Sequence, residues 1–430
     1  MKIVNQKTII FFILSFLPIT YIVGIAVTEF FFLILLIYFF FQKNIKSFFF
    51  DKKFLFLFLF SIYIFINAII QINHSDLLYS SIFYFRYSLF SLLIYFFYEK
   101  FDSIPKKDLF INIGFLFYFL IFIDSFFQFF TGYNTLGYKV DAFRVSSFFE
   151  KELILGGFLI KLLPLLIWGL IYNDFNFKNN FLFLTLFFFL YFSVIYISGG
   201  RSAIGLMIIF ISFILLFVKN LRKIFISSFV LLLIFICLIS FFSIGKTNVS
   251  SRVFEKTFND ITNNIITEKN DKSEETSENK SKIKNFKIFS RDHHGHYVLA
   301  LDLFKKNKFF GVGPKGFRYH CRKIEYDSKI GICTTHPHNI FIQFLSELGI
   351  VGVVFYVYGL AFILLSIFKV YKKKDINEKF QNSLYVASLA VFINLFPFLP
   401  SGDFFNNWIS IICFYSIGVF IYSYNKAYNK

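Results

Sequence analysis

Two histidines directly precede a long apolar run in this sequence. His336 and His338 lie in TTHPHNIFIQFLSELGIVG, residues 334–352. Pro337 suits the first turn of a helix, so the pattern predicts His338 at the N-terminal end of the following helix. The helix dipole there disfavours the protonated ring, and a neutral imidazole can accept a proton. We therefore interpret His338 as a candidate general base; the alternative is a histidine that only caps the helix.

The neighbours of His338 are expected to support it. Positions two apart in a helix point in nearly opposite directions, so only one of the two histidines is expected to face a site. We assign that role to His338 and a supporting role to His336 and Asn339.

Arginines near the ends of apolar runs are candidate phosphate ligands, because a guanidinium group can bind two phosphate oxygens at once. Arg201 lies in the tight turn SGGRSAIG, and Arg144 and Glu152 lie in the connection 131–152. The alternative for Arg201 is an interfacial anchor to lipid phosphate.

Three ionisable residues fall inside apolar runs, namely Arg86, Asp124 and Lys161. Such residues are costly inside a membrane and are functional by default. Each is expected roughly 9 to 12 Å below one membrane face, counting about 1.5 Å per helical residue. The alternative is an internal charge cluster that only holds the helices together.

Two further patterns carry little functional weight. GVGPKG at 311–316 matches GxGxxG, but it follows a helical segment and contains Pro314, so a dinucleotide site is not expected. DHHGH places His293 and His296 on one helical face but offers no convincing fourth ligand, so no metal site is expected.

The elements that must position these residues are membrane helices. The chain has 430 residues, of which 57% are hydrophobic and only 16% charged, against about 25% charged in soluble domains. Its 73 Phe and 25 Tyr exclude a disordered chain. Apolar runs close to the roughly 20 residues that span a bilayer predict an all-α polytopic membrane protein with about twelve transmembrane helices. The runs are 8–22, 26–41, 54–72, 80–98, 109–130, 153–172, 181–198, 202–218, 224–244, 338–368, 381–399 and 408–424.

The distribution of basic residues predicts the orientation. The net charge is +18, but twenty basic residues lie in the connections on the side of the termini and four in the short connections opposite. The positive-inside rule then places both termini in the cytoplasm. Because this asymmetry explains much of the excess charge, a nucleic-acid partner is not expected.

Three regions follow from this topology. Residues 1–244 are expected to hold transmembrane helices one to nine, and residues 338–430 helices ten to twelve. Residues 245–337 form one large, mainly helical extracytoplasmic segment with a mobile tip near 262–285. Cys321 and Cys333 lie in that segment, where oxidation is permitted, and are predicted to form a disulfide.

The chain resembles the O-antigen ligase and O-antigen polymerase superfamily of bacterial polytopic membrane glycosyltransferases. The most specific part is the His-Asn pair followed by an apolar helix with ELGIVG. The other matching stretches are RVSSFFEKELILGGFL (144–159), SGGRSAIG, RDHHGHYVLALDLFKKNKFFGVGPKGF (291–317) and PSGDFFNNW (400–408).

The resemblance implies a multi-pass enzyme of the bacterial inner (cytoplasmic) membrane, surrounded by membrane lipid, with a periplasmic active site. It would transfer a glycan from undecaprenyl diphosphate to a lipid A-core hydroxyl by inverting transfer, with no metal or other cofactor. The implied roles are His338 as the base and Arg201 and Arg291 on the diphosphate. To these we add Arg318, which follows the glycine turn, and Arg86, with Arg144, Glu152 and Lys161 in support.

Two other functions stay open. A polymerase of the same superfamily would use a second lipid-linked glycan as the acceptor. A lipid-linked sugar exporter would place polar residues near the midplane and show paired broken helices, which the ionisable residues of one leaflet do not favour.

Reporter fusions test the orientation. Fusions at Lys46, Lys106, Arg222 and Lys373 are expected to report cytoplasm, and fusions at Asn134, Lys272 and Asp403 the opposite side. Paired alkaline phosphatase and fluorescent-protein fusions measure this directly. A cytoplasmic signal at Lys272 would place the candidate site in the wrong compartment.

Overall fold

The computed structural model describes residues 6–17, 19–42, 52–70, 81–100, 107–259, 262, 291–321, 333–373 and 375–428. This described part of the chain is all-α, with no strand beyond an isolated bridge between Tyr133 and Lys139. Its principal helices are α1 Gln6–Phe16, α2 Ile25–Phe40, α3 Leu55–Ile70, α4 Phe85–Lys100, α5 Lys107–Thr131, α6 Leu155–Tyr172, α7 Phe181–Ile197, α8 Arg201–Phe217, α9 Arg222–Phe241, α10 Arg291–Lys306, α11 Ile340–Lys372, α12 Glu378–Asn394 and α13 Asn407–Tyr428.

A helix lies in each of the twelve apolar runs, and α10 lies outside them. In the described chain, five helical stretches are long and apolar enough to cross a membrane, and they belong to α5, α6, α9, α11 and α13. Four shorter apolar helices are α2, α3, α7 and α8. Large apolar side chains such as Phe30 and Ile62 are exposed, as lipid-facing residues are. A multi-pass membrane protein fits these features, while the number of crossings and the extracytoplasmic position of residues 245–337 stay predictions.

The helices pack around α13. It lies against α4 and α12, and α12 also packs along α6, while α7 pairs with α9. Side-chain hydrogen bonds join these helices inside the apolar core: Trp168 Nε1 donates to Ser423 Oγ at 2.8 Å, and the hydroxyls of Tyr98 and Tyr415 lie 2.6 Å apart. Internal partners of this kind are what buried polar side chains need in an apolar solvent.

The N-terminal part of α11 is interrupted. A first α-helical turn, Ile340–Gln343, is followed by a π-helical turn, Phe344–Leu348, and the backbone breaks at Gly349 with φ +65. Only glycine adopts such a φ without strain. The interruption leaves backbone groups of α11 available to partners outside the helix.

The GVGPKG sequence supplies those partners. Val312 N donates to Ser346 O at 3.0 Å and Gly313 N donates to Glu347 O at 2.8 Å. In the other direction, Ile350 N donates to Lys308 O at 2.8 Å. These bonds hold the glycine-rich turn against α11.

A disulfide closes the segment before the histidines. Cys321 and Cys333 are bonded, with their Cα atoms 5.4 Å apart, so this prediction is confirmed. Most of the predicted mobile tip near 262–285 lies outside the described residues.

A buried amide near the interruption of α11 joins this helix to the loop after α12. The Gln343 side chain is fully buried, and its Nε2 donates to Glu347 Oε2 at 2.8 Å and to Asp403 Oδ1 at 2.7 Å. Its Oε1 accepts from Phe404 N at 2.9 Å. Asp403 Oδ2 in turn pairs with Arg318 at 3.1 Å. Every hydrogen-bonding group of the amide except one lone pair is therefore used, and the loop after α12 is fixed to α11.

We expect Gln343→Met, which keeps the side-chain volume but removes three hydrogen bonds, to lower the free energy of unfolding by about 3 kcal/mol or more. The matched control is Gln381→Met on α12, where the amide is partly buried and bonds Tyr385 Oη at 3.2 Å. Denaturant unfolding of the detergent-solubilised protein measures both. Equal, small losses for the two variants would show that the Gln343 bridge does not hold the fold.

Candidate functional site

Four histidine rings form a cluster between α10 and the loop before α11. The ring of His338 lies 4.0 Å from that of His336, 5.1 Å from that of His296 and 5.5 Å from that of His293, measured between centroids. The sequence analysis placed two of these rings on one helical face and two near the start of α11. The structure brings all four to one place.

The predicted position of His338 in the first helical turn is wrong. The helix begins at Ile340, and Asn339 is its N-cap residue, with its side-chain oxygen accepting from Ile342 N at 3.0 Å. Asparagine is a strong N-cap, so the helix starts after it and Pro337 stays in the loop. His338 has φ +59, and the chain turns there. The helical argument that only one of the two histidines can face a site therefore does not apply.

The loop after α12 holds the histidine loop in place. Ser401 N donates to His338 O at 2.9 Å, and Ser401 O lies 3.3 Å from His336 Nε2. Asn339 Nδ2 donates to Pro397 O at 2.7 Å. Backbone and side-chain bonds thus fix His338 without using its imidazole ring.

Both loop histidines are held neutral. Burial, followed by the nearby rings of His336, His296 and His293, lowers the pKa of His338 to about 3. Burial also lowers the pKa of His336, which Arg318 and His296 reinforce and which Asp403 and the bond to Ser401 oppose. At neutral pH each imidazole is consequently a potential proton acceptor.

A group of charged side chains, the Asp403 group, lies beside these histidines and includes Arg318 and Lys315. Arg318 Nη2 pairs with Asp403 Oδ2 at 3.1 Å, while Arg318 Nε is buried without a partner in the described chain. Lys315 has φ +61, and within the described residues its ammonium group makes no ion pair or hydrogen bond, while its backbone N–H donates to the Glu347 carboxyl group. Burial lowers its pKa, and Arg318 and Arg86 lower it further, against Asp403 and Glu347.

Lys315 was missed by the sequence analysis. Its signal was a charged residue between Pro314 and Gly316 in a turn otherwise formed by small residues. A lysine held in a left-handed conformation with an unpaired ammonium group is a strained position, and such positions concentrate at functional sites.

Arg86 also belongs to the Asp403 group, but its charge is paired. Arg86 Nη2 lies 3.0 Å from Glu29 Oε1 and 2.9 Å from Tyr87 Oη, and the guanidinium stacks on the Tyr87 ring. Its effect on Lys315 shows that it lies within electrostatic range of the same group.

The expected alternative of one internal charge cluster is wrong. Asp124 accepts from Thr135 N at 2.8 Å, and its other oxygen accepts from Ser147. Lys161 Nζ lies 3.4 Å from both oxygens of Asn394. Arg86, Asp124 and Lys161 thus find separate local partners, because each helix packs against a different neighbour.

A second set of cations, the turn arginine group, surrounds the glycine turn before α8. It comprises Arg144, Arg201 and Arg252. Arg144 Nε donates to Ser198 O at 3.2 Å and Arg252 Nε donates to Gly199 O at 3.0 Å. The sequence analysis had identified Arg201 and Arg144 but missed Arg252.

The three arginines influence one another. Arg201 Nη1 donates to Thr257 Oγ1 at 3.4 Å, on the segment that carries Arg252. Burial, then Arg252, lowers the pKa of Arg144 to about 10, and Asp141 opposes the shift. Burial and Arg201 likewise lower the pKa of Arg252. Like charges therefore lie close together here.

The remaining predicted residues lie around these groups. Arg291 is the first residue of α10, two positions before His293, and its side chain lies outside the described part of the structure. Glu152 is exposed in the connection before α6. Among the described residues, no group of three or more His, Cys, Asp and Glu side chains is arranged to hold a metal ion.

The family comparison agrees with the resemblance seen in the sequence. A family model described as O-antigen ligase matches residues 186–357. That range contains the histidine cluster, Lys315, Arg318, Arg201 and Arg252, whereas Arg86, Arg144 and Asp403 lie outside it. No curated protein sequence matches the chain significantly. The match confirms the predicted resemblance: residues 186–357 of this chain are similar to the O-antigen ligase family.

Proposed function

We propose that the protein is an O-antigen ligase, which transfers a glycan from undecaprenyl diphosphate to a hydroxyl group of lipid A-core at the periplasmic face. The observation that carries the proposal is the neutral His338 imidazole, fixed by its own backbone and flanked by cationic groups. A neutral base beside cations suits a reaction that removes a proton and releases an anion. The family match supports the same class of reaction.

His338 is the proposed general base. Its imidazole accepts the proton of the acceptor hydroxyl while that oxygen forms a bond to the anomeric carbon of the donor glycan. The bond from this carbon to the diphosphate oxygen breaks at the same time, so the configuration inverts and undecaprenyl diphosphate leaves with the electron pair. His336 and Asn339 act as positioning residues through their bonds to the loop after α12.

The arginines are proposed to bind the diphosphate. Arg201 and Arg291 take the roles implied by the family, and Arg318, Arg86 and Lys315 add positive charge beside the histidine cluster. Diphosphate is a good leaving group, and fixed cations in a site with little water stabilise its charge without a metal. The bound anion would also raise the pKa of His338 above its value in the empty site and make it a stronger base.

The other predicted residues are assigned supporting roles. Arg144 stabilises the glycine turn that carries Arg201. Lys161 joins α6 to α12 through Asn394, close to the loop that holds the histidines. Glu152 lies exposed near the outer face, where an acceptor sugar would arrive.

Two alternatives differ in the acceptor or in the chemistry. A polymerase would use the same base and diphosphate site but accept the hydroxyl of a second lipid-linked glycan, and the family match is compatible with it. An exporter would move the lipid-linked sugar without forming a bond. The neutral base in the histidine cluster favours transfer over export, since transport needs no proton acceptor there.

His338→Ala is expected to lower glycan transfer by about 10² to 10⁴, the usual effect of losing a general base. His336→Ala is the matched comparison, because its ring lies 4.0 Å away and bonds the same loop. We expect it to lower transfer less than His338→Ala. Initial rates with purified protein measure both, and binding of the donor should persist in each. An active His338→Ala with an inactive His336→Ala would exchange their roles.

The pH dependence of kcat/KM tests the state of His338 in the free enzyme. Because its pKa is lowered to about 3, the ring stays unprotonated when the pH falls from 8 to 5. We therefore expect kcat/KM to change by no more than about two-fold over this range. An acidic limb with an apparent pKa near 6.5 that disappears in His338→Gln would show that the histidine titrates normally.

A further inference from the structure

We propose that Arg144, Arg201 and Arg252 together form the binding site for a diphosphate group, with Arg252 as a ligand. The inference rests on the function proposed above, in which Arg201 binds the diphosphate of the donor. It extends that site to a residue outside the predicted set and gives the turn arginine group one common ligand.

The backbone of one turn fixes two of the three guanidinium groups. Arg144 Nε and Arg252 Nε donate to the consecutive carbonyl oxygens of Ser198 and Gly199. Within the described chain, the terminal nitrogens of Arg252 make no hydrogen bond. Arg252 therefore holds its guanidinium group in a fixed orientation, with its terminal nitrogens free to bind two phosphate oxygens.

The glycine turn is shaped for these two side chains. Gly199 has φ +63, and a Cβ atom there would lie 2.9 Å from Arg144 Cγ and 3.4 Å from Arg252 Cδ. A side chain at this position would therefore be strained and would push Arg144 aside. The SGG sequence thus allows both arginines to cross the turn directly before Arg201.

The charges of Arg144 and Arg252 are not balanced by an ion pair within the described chain. Neither Arg144 nor Arg252 forms an ion pair with a described carboxylate. Asp141 is the one acid that acts on both, and it opposes the lowering of their pKa by burial and mutual repulsion. The side chains of Arg144 and Arg252 are only partly buried, so a ligand can reach them. An anion that neutralises two or more positive charges fits this arrangement best.

A diphosphate fits better than a single phosphate. Arg144 Nη2 also donates to Leu153 O, so Arg252 offers the free fork and Arg144 mainly its charge. A diphosphate has two sets of terminal oxygens, so one set can bind the fork of Arg252 while the other lies near a second positive charge. The other source of phosphate in a membrane is the headgroup of an ordinary anionic phospholipid. A soluble diphosphate, offered to the protein in a bilayer without anionic lipid, distinguishes the two sources.

The test uses the full chain in nanodiscs of phosphatidylcholine, with inorganic diphosphate as the probe in titration calorimetry. Arg252→Gln is expected to raise the Kd at least ten-fold, and Arg252→Lys to raise it less, since an ammonium group keeps the charge but not the fork. Arg222→Gln is the matched control. Arg222 also donates to a backbone carbonyl, that of Leu216 at 2.9 Å, but it lies at the opposite end of α8. The Kd of Arg222→Gln for diphosphate should stay at the wild-type value.

Each contrary result has one meaning. An unchanged Kd in Arg252→Gln, with a lower melting temperature, would show that Arg252 only supports the turn and would overturn the proposal. Loss of diphosphate binding when phosphatidylglycerol replaces part of the neutral lipid would overturn it as well, because the group would then bind bulk headgroups. Diphosphate binding that depends on Arg252, without glycan transfer, would uphold this site and reject the proposed function. Full glycan transfer by Arg252→Gln would reject Arg252 as a diphosphate ligand and uphold the proposed function.

Discussion

The amide of Gln343 is the interaction on which the candidate site depends. Its two N–H groups lie between the carboxyl groups of Glu347 and Asp403, and its carbonyl accepts from the backbone of Phe404. Each carboxyl group also accepts from the backbone, Glu347 from Phe317 N and Asp403 from Phe405 N, but the Gln343 amide is the donor that the two buried carboxyl groups share. Loss of a hydrogen bond to a buried charged group costs about 1.5–3 kcal/mol. With the bridge present, the loop after α12 is fixed to the interrupted start of α11. That position also lets Ser401 bond the histidine loop and lets Asp403 accept from Arg318.

The helices were predictable because the length and composition of each apolar run are local properties of the sequence. Length and composition indicate a membrane helix without reference to the rest of the chain. The start of α11 was predicted wrongly because Pro337 suggested a first turn, while Asn339 competes as an N-cap and determines the boundary. The Cys321–Cys333 disulfide was predictable because the predicted topology puts both cysteines in one polar segment where oxidation is permitted, whereas the other two cysteines lie in apolar runs.

The partners of the site residues could not be read in the same way. Gln343 and Asp403 are 60 positions apart, and no local pattern pairs them. One signal was available and unused: Glu347 is an acidic residue inside an apolar run, and the rule that drew attention to Asp124 applies equally to it. Arg252 was hidden because it lies in a polar segment, where a single arginine is unremarkable until the fold brings it to Gly199.

The cations of the site are held by the protein before any substrate arrives. Arg144 and Arg252 are tied to backbone carbonyls, and Arg318 is tied to Asp403, which Gln343 fixes in turn. Charges fixed in this way need little reorganisation when an anion develops, and this is the main physical advantage of a preorganised site. Burial lowers the pKa of His336 and of His338 beside Arg318, so these two rings add no further positive charge and are the proposed proton acceptors.

The central claim is that the protein forms a glycosidic bond. The most direct measurement reconstitutes the purified chain in proteoliposomes with a radiolabelled glycan on undecaprenyl diphosphate and offers either lipid A-core or a second glycan carrier as the acceptor. The account predicts labelled lipid A-core, with release of undecaprenyl diphosphate in equal amount and at a rate unaffected by a chelator. Movement of the labelled donor across the bilayer, with no transfer to either acceptor, would contradict it.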